Sequence, residues 1–236
     1  MQQKIIKKIV SVTKPKSINT SIKLYQLFLE KRLDIQSELL PLCSNIKRRE
    51  SSDIQEQLFY EKWKFRKNEY CVFANFGSYY HENWDIKESI TELKKIAGSK
   101  KILLVAIGKI SDEAAELWKC CDKVEGVEIL TTGILSDKEI NMWFGKYIDY
   151  GLVTTPMCII GKSGSYMVFR EFHIPVIARK DNFGFRLPLP EEFWRAADFA
   201  YQEIDNLVLI EEKMPYQWDI EKMGAMFCKN LVQKQQ

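Results

Sequence analysis

Glycine and serine residues beside a lysine form the segment of this sequence best suited to bind an anion. Residues 161–165 read Gly-Lys-Ser-Gly-Ser and lie where a predicted turn opens a helix. The unpaired N–H groups at a helix N-terminus carry partial positive charge and therefore suit a phosphate. Lys162 adds a full charge, Ser163 and Ser165 add hydroxyl groups, and Gly164 lets the backbone approach a ligand closely.

The same segment has a purely structural interpretation. A serine before a helix often serves only as its N-cap, with no ligand involved. The segment is also not a Walker loop, because Pro156 occupies the position of the earlier glycine in the GxxxxGK[ST] pattern. The turn alone leaves phosphate binding and simple capping both open.

The bulk composition indicates one large globular domain or slightly more. The chain has 236 residues, of which 46% are hydrophobic, and no apolar run approaches the roughly 18 residues that cross a bilayer. The first ten residues contain lysines but no apolar core of a signal peptide. The six cysteines show neither zinc nor redox spacing, so we expect reduced thiols, no bound metal and a cytoplasmic protein.

The positive charge is concentrated at the front of the chain. The formal net charge is +3, but residues 1–70 carry +7 and the remainder carries −4. A basic front segment suits peripheral contact with an anionic membrane or an acidic partner, although a solvated surface is the simpler interpretation. No nucleic-acid partner is expected, because the aromatic residues Phe59, Trp63 and Phe65 are interpreted as packing residues.

Residues 1–69 predict a small strand–helix–strand unit followed by a linker. The pattern favours strands at 8–12 and 35–42 around a helix at 22–33. The polar stretch 44–69, with a helix at 55–65, is interpreted as the linker to the rest of the chain.

From residue 70 onward, strands that are apolar throughout alternate with helices. Such strands are typical of a parallel sheet covered on both faces, so the sequence predicts a doubly wound, Rossmann-like α/β fold. The predicted strands are 70–76, 102–107, 127–130, 152–154 and 176–178, and the predicted helices are 84–97, 111–124, 136–146, 166–172, 191–199 and 220–231.

In this architecture the carboxyl ends of the strands share one rim, where ligands bind. The rim is predicted to gather Gly77–Ser78, Gly108–Lys109, Gly133, Thr154–Thr155 and residues 161–165. The first strand of the sheet is not followed by GxGxxG, which disfavours NAD or FAD. The gathering of these residues at one rim therefore predicts a phosphate-bearing ligand, but it does not indicate which reaction takes place.

Several short motifs resemble the C-terminal, donor-binding half of GT-B glycosyltransferases, specifically retaining, family-four-like members. They are Phe76-Gly77-Ser78, His81, Asn83-Trp84-Asp85, Gly161-Lys162-Ser163-Gly164, Glu171, Ile174-Pro175-Val176-Ile177 and Lys180-Asp181-Asn182. The resemblance covers about residues 70–231. It implies a donor-binding domain at 70–236, and a remnant of the acceptor half plus linker at 1–69.

The resemblance implies a nucleotide-diphosphate sugar as substrate, with no separate cofactor. Glu171 would hold the donor ribose, as the second Glu of the Glu-seven-Glu motif, whereas Ser163 replaces the first. Ser78 stands where Arg is usual, and Lys162 would supply diphosphate charge instead. The catalytic residues are not identified. The predicted donor site comprises Gly77, Ser78, His81, Lys109, Thr155, Lys162, Ser163, Gly164, Ser165 and Glu171.

Three functional interpretations stay open at this point. The first is glycosyl transfer to an unknown acceptor, hexosyltransferase-like, by a truncated chain or one that works with a separate acceptor-domain partner. The second is a non-catalytic nucleotide-binding or protein-interaction module derived from such an enzyme, which the replacement at Ser163 favours. The third is another enzyme of similar build, such as a sugar-nucleotide epimerase.

Overall fold

A seven-stranded sheet organises the chain after residue 69. The computed structural model describes residues 2–15, 17–50, 52–64, 66–79, 84–180, 201–210 and 220–232. The predicted site residue His81, the motif residues Asn83, Asp181 and Asn182, and the predicted helix at 191–199 lie outside the described residues.

The strands of this sheet are β3 Tyr70–Phe76, β4 Lys101–Ile107, β5 Val127–Gly133, β6 Tyr150–Val153, β7 Val176–Arg179, β8 Tyr201–Ile204 and β9 Leu207–Ile210. Their order in the sheet is β5-β4-β3-β6-β7-β9-β8. Strands β3 to β7 are mutually parallel, whereas β9 pairs antiparallel with both β7 and β8. This antiparallel edge was not predicted from the sequence.

The central strands of the sheet are buried on both faces, which confirms the predicted doubly wound α/β fold. Successive side chains of a strand point to opposite faces, so Val72 and Ala74 belong to one core while Cys71 and Phe73 belong to the other. A strand buried on both sides must be apolar at every position. That requirement explains the continuous apolar runs in the sequence.

Helices cover both faces, and Ser111, Ser136 and Ser163 cap three of them. Ser111 accepts a hydrogen bond from the Ala114 N–H, and Ser136 forms the predicted capping box with Glu139. The described helices after residue 69 are α4 Ile90–Ala97, α5 Asp112–Lys119, α6 Asp137–Met142, α7 Gly164–Glu171 and α8 Ile220–Val232. Short 3-10 or π turns at Ile86–Ser89, Cys120–Lys123, Trp143–Tyr147 and Met157–Lys162 adjoin several of them.

The front of the chain contains the predicted strand–helix–strand unit, but its first strand lies elsewhere. Parallel strands β1 (Asn19–Thr20) and β2 (Glu38–Leu39) flank α2 (Lys23–Phe28), which continues as a π turn at Leu29–Leu33. The strand predicted at 8–12 is wrong, because α1 spans Gln2–Thr13. None of the described helices is both long and apolar enough to cross a membrane.

Helix α3 (Asp53–Trp63), within the predicted linker, packs on the sheet domain. Phe59 is buried in the core, stacks on Tyr147 at 4.4 Å and meets Trp143 edge-on at 5.0 Å. Phe59 and Trp63 therefore pack as predicted, and Phe65 lies outside the described residues.

We predict that Gly151→Ala destabilises the fold, because α7 lies directly on β6. A methyl group at Gly151 would come within 2.5 Å of the Phe169 ring, which is fully buried. Overpacking of this kind costs about 1–3 kcal/mol, measured as a lower urea midpoint at unchanged m-value. The control is Gly224→Ala in α8, where a methyl group meets nothing within 4 Å. That control should stabilise by up to about 1 kcal/mol, and equal loss in both variants would contradict the packing argument.

Candidate ligand-binding site

A crevice of about 460 Å³ opens between the carboxyl ends of β3 and β6. Strand order reverses at this point, since the chain runs outward from β3 to β5 and then returns to place β6 on the other side of β3. The connections on either side diverge, and doubly wound proteins bind ligands in the resulting gap. The crevice is lined by Asn75, Ser78, Val153, Thr154, Thr155, Pro156, Ile159, Lys162, Ser163, Gly164 and Ser165.

The N-terminus of α7 forms one side of the crevice. Ser163 caps the helix, because its Oγ accepts the Tyr166 N–H at 3.3 Å and its carbonyl accepts the Met167 N–H at 3.1 Å. The first N–H groups of a helix have no partner within the helix. Those of Gly164 and Ser165, which line the crevice, are therefore available to a ligand.

The Ser165 hydroxyl fixes the start of α7 against the end of β3. It donates a hydrogen bond of 2.6 Å to the Phe76 carbonyl. The next residue, Gly77, has a φ of +76°, and a side chain there would lie 3.8 Å from Ser165 Oγ. Glycine tolerates this backbone conformation without strain. Ser165 therefore has a structural role in addition to its predicted role in binding a ligand.

Lys162 lies at the edge of the crevice and contacts the strand–helix–strand segment of residues 19–39, which we call the front unit. Its ammonium donates to the Tyr25 hydroxyl at 3.2 Å and lies 5.7 Å from the centre of that ring. Beside it, Ile22 packs so close to Gly161 that an added methyl group would lie 2.9 Å from its Cγ2. The absence of a side chain at Gly161 therefore permits close contact with the front unit. It is not among the residues that line the crevice.

Asn75, which the sequence analysis did not select, lies on the inner side of the crevice. The side chain is 1% exposed, and its amide group donates to the Leu152 carbonyl at 3.4 Å. Its Oδ1 is buried and has no hydrogen-bond partner among the described residues. A buried acceptor without a partner costs about 1–3 kcal/mol, so a ligand that donates a hydrogen bond here would relieve the cost.

Ser78 is positioned by the buried residue that follows it. Tyr79 donates a hydrogen bond to the Trp84 carbonyl and meets Trp118 edge-on. Burial raises the pKa of the Tyr79 phenol well above its ordinary value, so this hydroxyl stays protonated and acts as a donor. Ser78 itself is exposed at the mouth of the crevice.

Six of the ten predicted site residues line the crevice together: Ser78, Thr155, Lys162, Ser163, Gly164 and Ser165. Gly77 borders the crevice without lining it. Lys109 follows β4 at the rim, exposed and outside the lining. His81 cannot be placed, because it lies outside the described residues.

Glu171 is not among the residues that line the crevice. It is the last residue of α7, about 10 Å along the helix axis from Gly164. Its Oε1 accepts a hydrogen bond of 3.3 Å from the Arg48 N–H, in the segment that leads to α3. The carboxylate therefore contacts the linker, and its predicted contact with the ribose stays a prediction.

The crevice combines donors at one side with an acceptor at the other. Helix N–H groups, serine hydroxyls and the Lys162 ammonium suit an anion, and Asn75 Oδ1 suits a hydroxyl or N–H group. None of the described residues that line it is Asp, Glu or His. Among the described residues, no group of three His, Cys, Asp or Glu side chains could hold a metal ion. The described lining therefore offers hydrogen-bond donors and an acceptor, but no carboxylate or imidazole that could act as a general acid or base.

The sequence matches no protein-family model and no curated protein. The fold is similar to the crystal structure of WaaG, a glycosyltransferase involved in lipopolysaccharide biosynthesis, with a TM-score of 0.48 and 13% identity over 67% of this chain and 42% of WaaG. It is also similar to Anabaena HepE in complex with UDP and glucose, with a TM-score of 0.46 and 11% identity over 80% of this chain and 52% of HepE. The chain thus spans about half the length of these two structures.

We predict that Ser163→Ala lowers stability by about 1 kcal/mol, because α7 loses its N-cap. The measurement is the free energy of unfolding in urea. Ser163→Asn restores a side-chain acceptor at the cap and should recover most of the loss. An Asn variant as unstable as the Ala variant would show that the Ser163 hydroxyl is not acting as a cap.

Proposed function

We propose that the crevice binds a nucleotide-diphosphate sugar and that residues 70–236 are the donor-binding domain of a GT-B-type glycosyltransferase. The observation that carries the proposal is the position of the crevice at the reversal of strand order. The start of α7 lies on one side of the crevice, and the buried acceptor of Asn75 lies on the other. The resemblance of motifs between residues 70 and 180 supports the same ligand class.

The start of α7 suits the diphosphate. The N–H groups of Gly164 and Ser165 line the crevice at the positive end of the helix dipole, where a phosphate is stabilised. Lys162 carries three ammonium donors, and the described contact with Tyr25 uses one of them. The remaining donors are available to a phosphate oxygen at the same edge.

Asn75 suits the sugar or ribose portion of the ligand. Its unpartnered Oδ1 accepts hydrogen bonds and therefore selects a hydroxyl or N–H group over a phosphate oxygen. A ligand that carries an anionic group and hydroxyls a few ångströms apart would satisfy both sides at once. A crevice of about 460 Å³ falls within the usual range for small-molecule sites, about 300–1,000 Å³.

Transfer to an acceptor would require groups beyond the described lining of the crevice. We propose that residues 1–69 belong to the acceptor side and the linker, and that an acceptor domain completes the cleft. The lack of Asp, Glu and His among the described lining residues favours a second candidate function, a nucleotide-binding module without turnover. Release of sugar from UDP-glucose or GDP-mannose, with and without candidate acceptors, separates the two.

We predict that the chain binds UDP or GDP with saturable heat in a calorimetric titration and that Ser163→Asp weakens this binding at least tenfold. Aspartate caps a helix as well as serine does, so the fold should keep its stability. Its negative charge would stand next to the bound diphosphate, and at that distance the repulsion is worth about 1–4 kcal/mol. Ser163→Asn is the matched neutral control and should bind within about threefold of the unmodified protein.

Two outcomes of this titration would count against the proposal. The absence of heat with both nucleotides would remove the donor-binding function while leaving the fold intact. Equal affinity of the Asp and Asn variants would move the diphosphate away from α7. Glu171→Gln tests the predicted ribose contact separately, since the structure places Glu171 beside Arg48, and a loss of affinity in this variant would support that contact.

We predict that Asn75→Leu weakens binding of the nucleotide sugar by about tenfold without lowering stability. The substitution removes a buried acceptor that has no partner among the described residues, and a hydrogen bond to a neutral group contributes about 1 kcal/mol or more. Calorimetry with the nucleotide sugar and urea unfolding of the free protein give the two quantities. A variant that loses stability and keeps its affinity would assign Asn75 a structural role only.

A further inference from the structure

Helix α1 leaves an apolar stripe exposed on the surface of the protein. Ile5, Ile9 and Val12 recur at spacings of four and three residues, which places them on one face of the helix. Their side chains are 50%, 54% and 72% exposed. The neighbouring residues Ile6 and Val10 are half-buried, so the helix turns its other apolar edge towards the protein and the stripe outwards.

The rest of the exposed surface of the helix is basic. Lys4, Lys7 and Lys8 are all exposed. At about 100° per residue, Lys4 and Lys8 flank the stripe on the side of Val12, and Lys7 lies on the opposite face. The surrounding chain has the same sign of charge. Six lysines and no acidic residue precede Glu30 in the sequence, at positions 4, 7, 8, 14, 16 and 23.

We propose that α1 is a membrane-surface helix that binds the polar–apolar boundary of a bilayer containing anionic lipids. A short helix with a strong amphipathic pattern, low net hydrophobicity and lysines on its polar face lies in the plane of the membrane surface. The stripe of Ile5, Ile9 and Val12 would enter the acyl boundary, while the lysines meet the lipid phosphates. The helix is 12 residues long, about 18 Å, which suits surface binding.

The charge pattern favours a lipid surface over another protein as the occupant. A protein–protein contact of a mainly apolar stripe is usually depleted of lysine, whereas this stripe is flanked by lysines and lies in a segment free of acidic residues. An anionic bilayer neutralises every lysine without requiring a matched carboxylate for each. The proposal is independent of the crevice, which involves none of these residues.

The test is flotation of the full chain with vesicles of phosphatidylcholine alone and of phosphatidylcholine with about 30% phosphatidylglycerol. We expect at least tenfold more binding to the anionic vesicles, and most of this binding should be lost at about 0.5 M salt, where charges are screened. The double variant Ile5→Ser/Ile9→Ser should reduce binding to the anionic vesicles at least tenfold. Its matched control is Leu58→Ser/Ile134→Ser, which replaces two apolar side chains that are 60% and 88% exposed elsewhere.

The control variant should bind anionic vesicles as the unmodified protein does, and circular dichroism should show that both variants keep the fold. The proposal is overturned if the unmodified protein does not float with anionic vesicles at low salt. It is also overturned if the α1 variant floats undiminished. Light scattering provides a third criterion. If the unmodified protein is a dimer that binds no vesicles, and only the α1 variant is a monomer, the stripe is the contact with a second copy of the chain and the proposal is overturned.

Discussion

The reversal of strand order between β3 and β6 is the constraint on which the site depends. A right-handed crossover places its helix on one face of the sheet, and reversing the direction of winding places the next helices on the other face. The connections that leave β3 and β6 therefore diverge and leave the ends of these two strands uncovered. Asn75 lies near the end of the first strand and Thr154 just beyond the second, so buried polar groups stand at the ends of both strands.

Helix α7 is held at both ends relative to this gap. Near its start, the Ser165 hydroxyl bonds to the Phe76 carbonyl at the end of β3. Further along, the Phe169 ring rests on Gly151 of β6, where the lack of a side chain permits contact. The helix N-terminus is thus fixed against both strands that border the crevice. A binding group positioned in this way loses little conformational freedom when a ligand arrives, so more of the interaction energy appears as affinity.

The parallel strands could be predicted because burial on both faces demands continuous apolar runs, which Ile102 to Ile107 show clearly. The antiparallel pair β8–β9 was missed, although Asp205 and Asn206 between the two strands are typical of a tight hairpin, and Asp205 has the positive φ that such a turn requires. The site was predicted where glycines and hydroxyls signal a helix start. Asn75 was not selected and the contact of Glu171 with Arg48 was not predicted, because the environment of a single polar residue depends on contacts distant in sequence.

The front unit contacts the sheet domain at the edge of the crevice and also contacts α8. Tyr25 holds the Lys162 ammonium at this edge, and Ile22 packs against Gly161 just before α7 begins. From the other end of the chain, Asn230 of α8 donates to Asn19 of β1 at 3.2 Å. A shift of the front unit would therefore move the one cation that the described lining of the crevice contains. If the crevice binds a diphosphate, the position of residues 19–39 determines how many N–H donors of Lys162 reach the phosphate oxygens. The affinity for the ligand therefore depends on the contact between the front unit and the sheet domain.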